Sequence, residues 1–164
     1  MSRSEFFKPS GLPGEKPVPS ILVDAERLYG LLLRAELMMN ARDRVRYANR
    51  AVRLIEDIIE HFVLAYDFEE DRYEHLKKMW GRIAVFIRLM RQVGKVDAIR
   101  IQPKYESMTP DQMKLEIVTA IASLDEGATG WKKSVERAEK LRRKEIGNKG
   151  TTRADGRNGQ TPEE

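Results

Sequence analysis

Apolar residues recur at alternating three- and four-residue intervals along four stretches of the chain. The first stretch carries Ile21, Ala25, Leu28, Leu32, Ala35 and Met39, the spacing of one helix face. Ser20 stands where an N-cap would begin it. The second runs from about Arg42 to Asp67, with Val45, Ala48, Val52, Ile55, Ile59, Phe62 and Tyr66 in step. The third runs from about Asp71 to Asp97, with Tyr73, Leu76, Trp80, Ile83, Ile87, Met90 and Gly94. Such a repeat is the seam of helices packed nearly parallel or antiparallel. The fourth opens on Thr109-Pro110-Asp111-Gln112. That order supplies a capping threonine, a first-turn proline, an acid at the positive helix end and a glutamine to close a capping box. Met113, Ile117, Ala120, Leu124, Ala128, Trp131, Val135, Ala138 and Leu141 continue its stripe. Gly127 and Gly130 weaken this helix by about 1 kcal/mol each relative to alanine, and permit close helix contact.

The loops between the first three helices are short, which predicts antiparallel neighbours. A longer link around Ile99 to Met108, broken by Pro103, leads to the fourth. The expected fold is all-α, an antiparallel up-down-up-down four-helix bundle over residues 20–146. Residues 1–19 are rich in proline and glycine, and 147–164 lack an apolar anchor, so both are expected to be disordered arms. Leu22, Tyr29 and Leu33 form a second apolar stripe on the first helix. Met79, Phe86 and Val93 form one on the third, and Leu115, Val118 and Ala122 one on the fourth. Each second stripe is open to two readings: a wide core face or a subunit interface.

Charge adds a polarity to this bundle. The net charge is +4, an excess that suits an acidic partner such as nucleic acid or an anionic protein surface. Arg42, Arg44, Arg46, Arg50 and Arg53 crowd the start of the second helix, opposed only by Asp43. Glu56, Asp57, Glu60, Asp67, Glu69, Glu70, Asp71 and Glu74 follow, and then Arg82, Arg88, Arg91, Lys95 and Arg100 restore the basic sign. Folded as a hairpin, the chain has one basic and one acidic end. Arg91 and Lys95 suit the negative end of their helix, whereas arginines at a helix start oppose the dipole at roughly 0.3–1 kcal/mol each. Lys132, Lys133, Arg137, Lys140, Arg142 and Arg143 form a second basic set on the fourth helix, able to hold phosphates. For both sets the plainer reading is a solvated charged face.

No catalytic constellation accompanies these charges. The chain has no cysteine, which removes disulfides, thiolate metal sites and thiol nucleophiles. His61 and His75 are the two histidines, and no Glu-x-x-His pair of a di-iron bundle exists. A regular Glu-Glu-x-x-Glu pattern, a glycine-rich phosphate loop and a nucleophile elbow are also absent. Trp80 and Trp131 lie on core stripes, so packing outweighs base stacking for them. No cofactor or metal is expected, and an enzyme ranks below a binding protein. No apolar run approaches a membrane span, and Met1 to Ser20 lacks a signal-peptide core, so a cytoplasmic location is expected.

The order of these features resembles a four-helix-bundle superfamily that contains the ribosomal-RNA intervening-sequence proteins and the accessory variability determinants of diversity-generating retroelements. The second group is the closer match. The resemblance rests on Leu28-Tyr29-Gly30-Leu31-Leu32-Leu33, the arginine-rich Arg42 to Arg50, the body Ile55 to Ala65, Phe86-Ile87-Arg88-Leu89-Met90-Arg91, and Gly127-Ala128-Thr129-Gly130-Trp131-Lys132-Lys133. It covers about Ala25 to Lys133 and is a diffuse pattern rather than a sharp motif. It implies a homopentamer with a basic surface. It also implies partners, a reverse transcriptase and its template RNA, which such proteins help in mutagenic cDNA synthesis without doing the chemistry. The arginines of the second helix and the basic end of the fourth would then be the contacts. The alternative is an oligomeric protein-interaction bundle with no nucleic-acid role.

Overall fold

The structure is a computed structural model that describes residues 19–155, with side chains described for 19–148. It is all-helical. Helix α1 spans Ser20–Ala35 and ends in a single 3-10 turn, Glu36–Met38. Helix α2 is a continuous run built from a short α turn, Ala41–Asp43, a π turn, Arg44–Ala48, and a body, Asn49–Asp67. Helices α3 and α4 span Arg72–Lys95 and Pro110–Asp155. The chain divides into two units, with the boundary inside α4 between Ala128 and Thr129.

In the first unit α1 buries the expected face. Ile21, Ala25, Leu28, Leu32, Ala35 and Met39 are all buried, joined by Leu22, Leu31 and Met38. Ser20 is the first helical residue and not the cap. Pro19 holds that place, and its carbonyl accepts from the amides of Leu22 and Val23. Helix α2 does have a side-chain cap, since Asn40 Oδ1 accepts from the Asp43 amide at 2.8 Å.

Helices α2 and α3 pack extensively on one another, and both are rotated from the stripe that spacing predicts. On α2, Ala51, Leu54, Ile58 and Ala65 join Ala48, Ile55 and Phe62 in the core, while Val45 is 71% exposed and Tyr66 lies at the surface. On α3, Met79, Phe86 and Val93 are core, while Trp80, Ile87 and Met90 are half-buried and Gly94 is exposed. The cause is the charged face. Arg53, Glu56 and Glu60 on α2, and Lys77, Arg88 and Arg91 on α3, must stay in water. The core therefore settles directly opposite them instead of beside them. Phe62 and Phe86, fully buried on these two helices, each contribute on the order of 2–3 kcal/mol by apolar burial. The second stripe of α3 is thus core and not a spare surface, and Leu22 of α1 is core as well. On α1, Tyr29 is half-buried and Leu33 exposed, and the whole α4 set stays outside, with Leu115 at 67% and Val118 at 63% exposure and Ala122 also exposed.

Helix α3 ends by a Schellman arrangement. The Ala98 amide donates to the Val93 carbonyl, the Asp97 amide to Gly94, and Asp97 takes the left-handed conformation at φ 50°. Asp97 also pairs with Lys114 on α4 at 2.6 Å, which holds its carboxyl below the usual range and raises the lysine. The capping box that opens α4 forms as expected. Thr109 N donates to Gln112 Oε1 at 2.9 Å, and Gln112 N to Thr109 Oγ1 at 3.2 Å. Met113, Ile117, Ala120, Leu124 and Ala128 are buried. A Cβ on Gly127 would stand 3.2 Å from Ile21 Cγ1, so this glycine does admit close approach. Gly130 meets nothing within 4 Å.

In the second unit the α4 stripe runs out of cover. Trp131 and Val135 are half-buried, and Ala138, Leu141 and Ile146 are exposed. The helix nonetheless continues to Asp155, so residues 147–155 of the expected disordered tail are helical. No proline interrupts it after Pro110, and Arg142 and Arg143 support it locally through Glu139. Residues 156–164, and the N-terminal arm before Pro19, lie outside the described residues.

The rings of His61 and His75 stack across α2 and α3 with centroids 5.9 Å apart, and each Nδ1 is buried without a hydrogen-bond partner. Burial pushes His61 below its ordinary value of 6.5. Glu60 and Asp57 oppose the shift, and His75 and Lys78 add to it. The unfolded chain therefore takes up this proton first as pH falls. Stability contributed by neutral His61 is present above pH 6.5 and is lost as pH drops below it. Denaturant midpoints at pH 7.5 and pH 5.5, about one unit either side of an ordinary histidine value, should fall further for the native chain than for His61→Gln.

Candidate nucleic-acid interface

The basic end is assembled around the last turn of α1. Backbone carbonyls at a helix end lack a full set of partners within the helix and draw donors from elsewhere. Arg44 supplies two. Its Nε donates to the Glu36 carbonyl at 3.1 Å, and a terminal nitrogen donates to Met39 at 3.3 Å. The amides of Arg100 and Ile101 donate to the Met38 carbonyl at 3.0 and 2.9 Å. The start of α2 and the α3–α4 linker are thereby fastened to one place.

Arg44 is thus a structural group, half-buried and committed to carbonyls. Arg42, Arg46, Arg50 and Arg53 differ from it. All four are exposed, and no acidic side chain among the described residues lies within ion-pair distance of them. Arg88, Arg91 and Lys95 near the end of α3 are exposed and likewise without an ion pair among the described residues. By contrast, acids near this end are engaged, Asp97 by Lys114 and Glu106 by Arg34.

The linker between α3 and α4 is tightly tied. Arg34 Nε donates to Glu106 Oε2 at 3.0 Å, and a second guanidinium nitrogen reaches Oε1. The Met108 amide also donates to Glu106 Oε1, at 3.1 Å. The Arg34 guanidinium, helped by that amide, holds the Glu106 carboxyl down to about 2. Gln102 Nε2 bridges across the loop to the carbonyls of Glu106 at 2.8 Å and Met108 at 3.3 Å. Sequence reasoning passed over this loop, because the Arg34–Glu106 and Met38 ties that anchor it join positions too far apart in the chain to leave a local pattern.

The second expected basic set lies in the other unit. Lys132, Lys133, Arg137, Lys140, Arg142 and Arg143 are all exposed on α4. Arg142 and Arg143 share Glu139 at 3.1 and 3.5 Å, the weak pairing of a solvated helix face. The acidic residues Asp67, Glu69, Glu70, Asp71 and Glu74 are exposed around the α2–α3 connection, where Arg72 donates to the Ala65 carbonyl at 2.9 Å.

A groove of about 520 Å³ runs along α3 and the first part of α4, walled by Ile87, Met90, Gly94, Val118, Ile121 and Ala122. Among the described residues no group of three or more histidine, aspartate or glutamate side chains could hold a metal ion, and no helix is long and apolar enough to cross a membrane. Comparisons with family models, with curated proteins and with solved structures each give no match.

The two roles of arginine separate by stability. Arg44→Ala should lower unfolding free energy by about 1–2 kcal/mol, the worth of charge-assisted hydrogen bonds to backbone carbonyls at a helix end. Arg46→Ala should stay within about 0.5 kcal/mol of the native chain, as an exposed substitution away from packing does. Urea denaturation of both variants measures the difference.

Proposed function

We propose that this protein is a non-catalytic RNA-binding accessory subunit of a diversity-generating retroelement, engaging template RNA and a reverse transcriptase to support mutagenic cDNA synthesis. The observation that carries the RNA part is the set Arg42, Arg46, Arg50 and Arg53, exposed and without carboxylate partners at a helix start. Such charge opposes the helix dipole and repels itself. Phosphates would relieve both costs, with release of counterions. The reverse transcriptase and the pentameric state come from the resemblance alone.

The bundle in this proposal is antiparallel. Asp57 pairs with Arg82 and His61 stacks on His75, so numbers rise on α2 as they fall on α3. Asp24 bonds Ser123 and Arg27 pairs with Glu116, the same relation between α1 and α4. In that register Arg88, Arg91 and Lys95 would lie level with the α2 arginines and enlarge one basic end.

A second reading, a protein-interaction bundle without RNA, is favoured by one observation: Leu115 and Val118 stay exposed beside the α3–α4 groove. Fluorescence anisotropy with an RNA oligonucleotide separates the two. Binding should weaken linearly in log salt with a slope of about −0.7 per single-strand phosphate contact. The triple reversal Arg42→Glu, Arg46→Glu, Arg50→Glu should abolish it while the circular dichroism stays native. Light scattering that gives a pentamer with no RNA binding at low salt would instead select the interaction bundle.

A further inference from the structure

Five tyrosines occur in the chain, and four are accounted for by packing. Tyr47 is buried, Tyr73 is half-buried with its ring edge-on to Trp80, Tyr29 bonds Glu56, and Tyr66 stacks on Phe62. Tyr105 is different. It is 92% exposed, and its hydroxyl has no hydrogen-bond partner among the described residues.

The segment that carries it is not a loose loop. Residue 106, next in the chain, is clamped by Arg34, and Gln102 bonds three carbonyls across the turn. Arg100 and Ile101 are fixed to Met38 at the end of α1, directly before the arginine-bearing start of α2. Ala98 and Ile99 tie this connection into the core, and the part beyond them, held this firmly yet displaying an aromatic ring to water, suits a surface role. A cation lies by the ring: Lys104 Nζ stands 5.7 Å from its centroid, while the carboxylate next in the chain, Glu106, is paired with Arg34.

We infer that Tyr105 is a base-stacking platform, and that the RNA bound at the basic end is single-stranded where it crosses the linker. The inference rests on the nucleic-acid reading above and adds the strand state. Bases in a duplex are already stacked and offer no free face, whereas an unpaired base can lie on an exposed ring flanked by cations. A protein surface could also use a tyrosine, but a ring with Lys104 by it, on a linker fastened to the end of α1 just ahead of the α2 arginines, favours a nucleic acid.

The test uses the full chain, a single-stranded RNA carrying 2-aminopurine, and a blunt RNA duplex of equal phosphate number. Tyr105→Ala should weaken single-strand binding about 5-fold to about 100-fold, the usual loss on removing one stacking ring. It should leave the salt slope, duplex affinity and thermal midpoint unchanged. Tyr105→Trp should keep the affinity, and quenching of 2-aminopurine should vanish only in Tyr105→Ala. Equal single-strand affinity of Tyr105→Ala and native protein overturns the platform while leaving the arginine site intact. So does loss of a protein partner with RNA binding untouched. Failure of the native chain to bind either RNA overturns the nucleic-acid reading, and the platform falls with it.

Discussion

The carbonyl groups at the end of α1 govern how the arginine-bearing start of α2 and the α3–α4 linker are held. A helix leaves its last carbonyls unsatisfied, and burial makes that costly. Here the 3-10 turn Glu36–Met38 bonds part of the set, and Arg44 and the amides of Arg100 and Ile101 supply donors from elsewhere in the chain. The start of α2 cannot move far without breaking the Arg44 bonds. The linker cannot move far without stranding the Met38 carbonyl. One hydrogen-bonding constraint therefore fixes the place from which Arg42, Arg46 and Arg50 emerge and the base on which the Tyr105 loop stands.

Neighbouring arginines with different duties follow from the same constraint. Arg44 lies within the π turn and is spent on backbone. Positions two apart on a helix do not share a face, so Arg44 can turn back toward α1 while Arg42 and Arg46 face water. Composition alone ranks all these arginines equally. Geometry divides them into one that holds the end together and four whose charge is left uncompensated by described carboxylates.

Much of the helical layout was legible in the chain. The face of α1 and the Thr109 capping box could be read directly, because both depend on local spacing. The registers of α2 and α3 could not be read from apolar spacing. Each helix carries two overlapping stripes, and the choice between them depends on which face leaves the charges in water. Opposition to Arg53, Glu56 and Glu60 would have found Ala51, Ile58 and Ala65 as core. The linker was read only as a break at Pro103. Its order comes from Arg34 meeting Glu106 and from Met38 meeting Arg100, contacts between distant positions. Of the candidate site, exposed arginines were legible because charge is written in the sequence. Tyr105 was not, since one tyrosine in a loop looks the same whether it packs or points outward.

The basic end and the linker place two costs side by side. Like charges at a helix start repel and oppose its dipole. An exposed aromatic ring orders water over apolar surface that the fold could have buried. Neither helps the isolated chain, and both sit on backbone fixed by hydrogen bonds that are themselves satisfied. A site held this way pays little ordering entropy when a partner arrives. In the proposed complex, phosphates meet the arginines and an unpaired base meets Tyr105, so the same encounter offsets both costs. Duplex RNA could offset only the first. That asymmetry is the physical reason a rigid loop with one bare tyrosine, set beside unpaired arginines, argues for a single strand.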